Sequence, residues 1–179
     1  MKLNFAECVG LTLRHEGGFV NNPKDPGGAT NKGVTLATFS LFLGRKATAA
    51  ELMAISDVQL LTIYRKYFWD KICGDDLPGG LDFCVFDFAV NSGPSRAAKM
   101  LQSLVGAETD GVIGQKTLLS LESYISRETL PRTIDQYQAK RMHYLEALPH
   151  FPTFGKGWTR RVNEVLDEAN LMMREQPNG

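Results

Sequence analysis

The sequence predicts an all-α chain. Apolar residues recur at helical spacing along most of its length, and capping signals precede the periodic runs. No run shows the sustained alternation of a half-buried strand. Hydrophobic residues make up 43% of the 179, enough to close a core, so the chain is not a disordered one. That length fits one domain, or one domain with a small second lobe.

Asn4 with Glu7 has the form of a capping box, and Phe5, Val9 and Leu13 then recur every four residues along one helical face. Gly17-Gly18 ends that helix, and residues 17–33 are too rich in Gly, Pro and Asn to be helix or ordinary strand. Thr35 caps a short helix over Leu36, Phe39 and Phe42, which Gly44 stops. Thr48 and Glu51 form a second capping box, and Ser56 caps a helix carrying Leu60, Leu61, Tyr64, Tyr67 and Phe68. Pro78-Gly79-Gly80 breaks the chain. The following L-D-F-C-V-F-D-F-A-V-N is apolar on nearly every side. Its length and its Asp87 and Asn91 favour a buried central helix over a strand.

Ser92-Gly93-Pro94 ends the central helix, and Pro94 suits the first turn of the next, which carries Ala97, Met100, Leu101 and Leu104 and closes at Gly106. Thr109-Asp110-Gly111 is a turn, followed by a helix from about Gln115 to Ser123. Pro131 opens a longer helix through Ile134, Tyr137, Met142 and Leu145. Pro149 and Pro152 bracket a loop. A last amphipathic helix starts near Trp158, runs through Val162, Val165 and Ala169, and frays at Q-P-N-G. The expectation is eight or so helices and no strand, with a division near Ser92-Gly93-Pro94.

Composition excludes several functions. Twenty basic and twenty acidic residues leave a formal charge of zero, and the basic residues are scattered, so no footprint for nucleic acid appears. Cys8, Cys73 and Cys84 are odd in number and lack metal or scaffold spacing; they read as small apolar residues of a reducing compartment. His15, His143 and His150 show no ligand spacing, so neither a metal nor a cofactor is expected. Glu7 and Arg14 interrupt the N-terminal segment, which therefore does not read as a signal peptide, and no segment approaches a membrane span. Synthesis in the cytoplasm is expected, with delivery by another route if the target lies outside the membrane.

The stretch from His15 to Thr35 carries the chemistry. Glu16 stands where a helix meets a Gly-rich loop that holds a second carboxylate, Asp25, and a hydroxyl, Thr30. Hydrolysis of a glycosidic bond needs one carboxyl to protonate the leaving oxygen and a second to activate water or attack the sugar. A carboxylate at a helix C-terminus opposes the macrodipole, so its placement there needs a reason. Gly17-Gly18, without side chains, lets a polymer approach the backbone. The alternatives are a solvated helix-end charge for Glu16, a turn residue for Asp25 before Pro26-Gly27, and a plain loop hydroxyl for Thr30. Trp69, Trp158, Tyr137 and Asn91 are candidates for lining a sugar cleft, since aromatic faces pack on pyranose rings and amides bond N-acetyl groups. For Trp69 core packing serves equally well, and the Asn91 amide can instead cap its helix.

The segment E-G-G-F followed by D-P-G-G-A-T-N-K-G-V-T resembles the motif of the phage and prophage muramidases of glycoside hydrolase family 108, with Phe19 where that family usually has Tyr. The central F-W-D-K-I-C-G-D-D-L-P-G-G-L-D-F-C-V-F-D-F-A-V-N-S-G-P is similar to the same family's middle portion. The resemblance implies a lysozyme-like helical enzyme lobe over 1–92 that cleaves the bond between N-acetylmuramic acid and N-acetylglucosamine. It implies Glu16 as the catalytic acid, with Asp25 as base and Thr30 as water-holder. From about Gly93 the chain resembles a small peptidoglycan-binding module, so 93–179 is expected to be a helical lobe completing the cleft. Its D-G-V-I-G-Q-K-T-L reads either as a signature of such modules or as a tight turn before a helix. Peptidoglycan is the expected partner of a monomeric enzyme reaching the wall through a holin or a dedicated export route, to lyse cells or to open the wall locally for secretion. The rival readings are a lytic transglycosylase and a non-catalytic peptidoglycan-binding or export-helper protein.

Overall fold

The computed structural model describes residues 4–21 and 28–174. Its organising element is the central helix α5 (Leu81–Ser92), on which α1 (Asn4–Leu13), α6 (Pro94–Val105), α8 (Leu130–Glu146) and α9 (Phe151–Arg174) all pack. Every residue from Leu81 to Ala89 is fully buried, including two acids, as a helix apolar on nearly all sides requires. Gly80 makes that seating possible. Its φ is +86°, and a Cβ there would lie 2.5 Å from the Ala169 carbonyl oxygen of α9.

The smaller helices follow their caps. Thr35 Oγ1 accepts from Thr38 N (3.1 Å) at the start of α2 (Leu36–Leu43), and Gly44 closes it at φ +67°. Reciprocal capping boxes, Thr48 with Glu51 and Ser56 with Gln59, open α3 (Ala49–Met53) and α4 (Asp57–Tyr64). A π-helical turn, Arg65–Trp69, continues α4 and turns Phe68 and Trp69 into the core. There Trp69, Phe86 and Phe5 meet edge to face, with ring centroids 5.3–6.3 Å apart. Two short 3-10 turns, Asp70–Ile72 and Gly74–Asp76, follow in the chain, and α7 (Gln115–Glu128) completes the set of helices among the described residues. None of them is long and apolar enough to cross a membrane.

Four local expectations are corrected. Asn4 is the first residue of α1, and its side chain donates to Asp82 Oδ2 (2.9 Å) instead of capping. The loop contains two short antiparallel strands, β1 (Thr30–Asn31) and β2 (Val34–Thr35), with Thr30 opposite Thr35. α7 runs five residues beyond Ser123, to Glu128. α9 begins at Phe151 and not near Trp158, because Pro152 falls in its first turn, where the missing N–H costs nothing. The chain end at Q-P-N-G lies outside the described residues.

The core is one cluster reaching from Cys8 to Met172, so it is continuous across Gly93. Cys8 and Cys84 are buried in it and Cys73 half-buried, all as free thiols whose burial pushes their pKa values up. The Asp110–Val112 turn is clamped by the buried Gln102. Gln102 Nε2 donates to Asp110 Oδ1 (2.7 Å), and its Oε1 accepts from Gly111 N (2.9 Å). D-G-V-I-G-Q-K-T-L is therefore a tight turn leading into α7.

Asp87 ties three helices together. Arg161 of α9 donates Nη2 to Asp87 Oδ1 (2.7 Å) and Nε to Oδ2 (3.0 Å), while Arg141 Nη2 of α8 lies 2.7 Å from Oδ2. Arg141 is fully buried and also sits over the Phe88 ring, 5.2 Å from its centroid. Burial alone would push the Asp87 carboxyl up, but Arg141 and then Arg161 outweigh it and hold it below the usual aspartate range. A folded-state value below the unfolded one stabilises the fold above the unfolded value, and that contribution is lost as pH falls through the folded one. Asp87→Asn is therefore expected to cost about 3–5 kcal/mol in urea unfolding at pH 7. The difference from wild type should narrow as pH drops below about 4. An equal cost at both pH values would show that the charge of Asp87 does not matter.

Candidate active site

α1 ends at Leu13, but the chain keeps turning. His15 N donates to Thr12 O (3.0 Å) and Glu16 N to Leu13 O (3.3 Å), which fixes Glu16 one turn past the helix. The loop then doubles back. Val20 and Thr30 exchange two backbone hydrogen bonds of 2.8 Å, and Lys32 N donates to Gly17 O (3.2 Å). Lys32 and Gly33 form the hairpin turn at φ +46° and +73°, the paired positive values that suit the twist of a two-residue hairpin. Asn31 pins the hairpin to α3 by donating Nδ2 to the carbonyls of Leu52 (3.0 Å) and Met53 (3.2 Å).

The hairpin tip lies over Glu16. A Cβ on Gly33 would be 3.0 Å from Glu16 Oε2 and 2.7 Å from the Tyr64 hydroxyl, which itself donates to Lys32 O (2.7 Å). Position 33 thus requires glycine for its φ and for its contact with the acid. On the other side Glu16 Oε1 is buried and lies 2.8 Å from Arg161 Nη1. The Glu16 side chain is 16% exposed, so it is neither a solvated surface charge nor sealed from a ligand. Burial pushes Arg161 down, but Asp87 and Glu16 more than compensate and keep it firmly protonated.

Beside this acid runs a groove of about 660 Å³ between α1, the end of α5 and α9. His15, the chain neighbour of Glu16, and Arg161, its ion-pair partner, line it; Glu16 itself does not. Asn91 and Trp158, two of the expected cleft residues, line it too. The Asn91 amide does not cap α5; that cap is Gly93 N donating to Ala89 O, and Asn91 Oδ1 accepts from the adjacent Ser92 hydroxyl. Trp158 is half-buried, its ring 6.0 Å from that of Phe154, which is 54% exposed. His15 Nδ1 is 3.5 Å from Glu164 Oε2. Burial, with Arg161 and Arg141 nearby, holds its imidazole below the ordinary value against the pull of Asp87 and Glu164.

The other expected site residues fall differently. Trp69 and Tyr137 do not line the groove. Trp69 is 1% exposed and donates Nε1 to Asp75 Oδ1 (3.0 Å), while Tyr137 is fully buried and donates its hydroxyl to Ala97 O (3.2 Å). Each aromatic body packs in the core, and each polar tip is satisfied there. Thr30 stands on β1, partly buried, with its backbone bridged to Val20. Asp25 lies outside the described residues. Among the described residues no group of three or more His, Cys, Asp or Glu could hold a metal ion.

Phe154 and Arg161 were not singled out from sequence. The spacing Phe151, Phe154, Trp158 is a helical signal, but Pro149, Pro152, Gly155 and Gly157 obscure it. For Arg161 no local signal exists, because its partners Glu16 and Asp87 are distant in the chain.

Comparison with known proteins places the chain. A family model described as Glycosyl hydrolase 108 matches residues 9–93, the span that holds Glu16, the hairpin and α5. No curated protein matches. Among solved structures the chain is similar to SagA of Brucella abortus, at 46% identity over 96% of each chain with a TM-score of 0.85. The fold is the all-α, lysozyme-like one, and the chain belongs to glycosyl hydrolase family 108.

Proposed function

We propose that this glycoside hydrolase acts on bacterial peptidoglycan as an N-acetylmuramidase, cleaving the β-1,4 bond between N-acetylmuramic acid and N-acetylglucosamine with Glu16 as general acid. The observation that carries the reading is Glu16 itself: a partly buried carboxyl held between Arg161 and a glycine-tipped hairpin, beside an aromatic-walled groove. A general acid must be within reach of substrate yet withdrawn from bulk water. Family membership and the E-G-G-F…D-P-G-G-A-T-N-K-G-V-T motif point the same way.

In this mechanism Glu16 gives its proton to the glycosidic oxygen as the C1–O bond breaks, and positive charge develops on the muramic acid ring. A water oriented by Thr30 adds to C1 and gives its proton to Asp25. The carboxyl separation decides stereochemistry: room for a water between them means inversion, a short gap retention. Asn91 bonds an N-acetyl group, and Trp158 packs on a pyranose face. The region from Gly93 onward, read as the wall-binding lobe, adds the α9 side of the groove. The enzyme works as a monomer on the cell wall, delivered by a holin or a dedicated export route.

Four expected outcomes follow from these roles. Glu16→Gln should abolish turnover of purified peptidoglycan while the fold and wall binding persist. Mass spectrometry of wild-type digests should find reducing N-acetylmuramic ends. Anhydro ends would make the enzyme a lytic transglycosylase, and digestion by the variant equal to wild type would remove Glu16 from the chemistry. Asp25→Asn should lower the rate by about 100-fold or more, whereas a loss under about tenfold would reduce Asp25 to a loop residue. Trp158→Ala should raise KM about tenfold or more with little change in kcat, since stacking on a ring acts alike in ground and transition states. A fall in kcat alone would place Trp158 elsewhere in the reaction.

A further inference from the structure

Arg161 spends its guanidinium on two carboxylates. Nε and Nη2 hydrogen-bond Asp87, and Nη1 forms an ion pair with Glu16 Oε1 at 2.8 Å, outside hydrogen-bond geometry. The group is planar, so fixing one edge on Asp87 fixes where the remaining nitrogen points. Asp87 is in turn held by Arg141 and completely buried. Three helices of the core thus determine where Oε1 sits. That oxygen is removed from solvent. The other, Oε2, faces the hairpin at Gly33.

The further groups around Glu16 do not compete for Oε1. Lys32, at the hairpin tip, has its ammonium 3.2 Å from Asp57. The Tyr64 hydroxyl of α4 is committed to Lys32 O. His15 is turned to Glu164 of α9.

We propose that Arg161 is a positioning residue for hydrolysis: by taking Oε1 it assigns Oε2 as the oxygen that delivers the proton to the glycosidic bond. This rests on the reading of Glu16 as the acid. Arg161 acts through Glu16 and does not itself meet the reacting atoms. A lysine at 161 would keep a cation beside Asp87 but has no planar fork, so it cannot hold both carboxylates in one fixed geometry.

The test compares wild type, Glu16→Gln and Arg161→Lys on a soluble muropeptide oligomer, with rates normalised to the folded fraction by circular dichroism. Arg161→Lys is expected to lose at least about tenfold in kcat with KM within about twofold, because misplacing the acid weakens only the transition state. Two results would overturn the proposal: kcat within about twofold of wild type in Arg161→Lys, which leaves Arg161 a purely structural role, or a rise in KM that accounts for the whole loss, which makes it a substrate ligand. An active Glu16→Gln would instead sink the underlying reading, whatever Arg161→Lys does. A second measurement does not depend on the folding of Arg161→Lys: a crystal structure of Glu16→Gln with a bound oligomer. The glycosidic oxygen should lie next to the side-chain atom remote from Arg161, and finding it next to the atom that Arg161 holds would refute the assignment.

Discussion

The buried ion cluster centred on Asp87 is the constraint on which the rest of the molecule depends. A carboxylate in the middle of a fully buried helix is costly unless paired and hydrogen-bonded. Its two arginines come from the two long C-terminal helices, so α8 and α9 must close on α5 for that helix to be buried at all. The same closure brings Arg161 to Glu16 and sets one wall of the groove. Folding of the second half of the chain and completion of the site are thus one event.

A second constraint operates from the opposite side. The hairpin holds its position because Asn31 is bonded to the end of α3 and because the Tyr64 hydroxyl reaches the Lys32 carbonyl. α3 and α4 start at well-formed capping boxes, so the hairpin stands on two elements whose own ends are satisfied. Glu16 is therefore bracketed by two independent supports, one ionic and reaching through the core, one built from hydrogen bonds to backbone carbonyls of α3 and the hairpin. A side chain held on rigid elements needs no reorganisation when a ligand arrives.

Much of this was legible from sequence, for physical reasons that differ by element. The caps at Thr35, Thr48 and Ser56 are local chemistry and appear in the structure as read. The central helix was readable from its length and unbroken apolarity, and the place of Glu16 just past α1 from the glycines that follow it. The hairpin was not, because two-residue strands are too short to show alternation; the Asn31–Lys32–Gly33 turn was its only signature. The start of α9 was hidden by prolines and glycines that a helix held by tertiary packing can tolerate. Trp69 and Tyr137 show the limit of residue-type reasoning. An aromatic ring with a polar tip suits a sugar cleft and a core equally, and burial is decided by partners such as Asp75 and the Ala97 carbonyl. The pairing of Glu16 with Arg161 spans almost the whole chain and has no local trace.

α9 has one consequence of a mechanical kind. Phe154 and Trp158 on the groove, Arg161 on the acid, and Val165 and Ala169 in the core are successive turns of a single unbroken rod. Seven residues, about 10 Å of rise, separate Phe154 from Arg161. Anything that wedges the aromatic end outward must tilt the rod as a whole or bend it. The width of the groove and the aim of the Glu16 carboxyl are therefore geared to each other, so a change at one end of the rod is felt at the other.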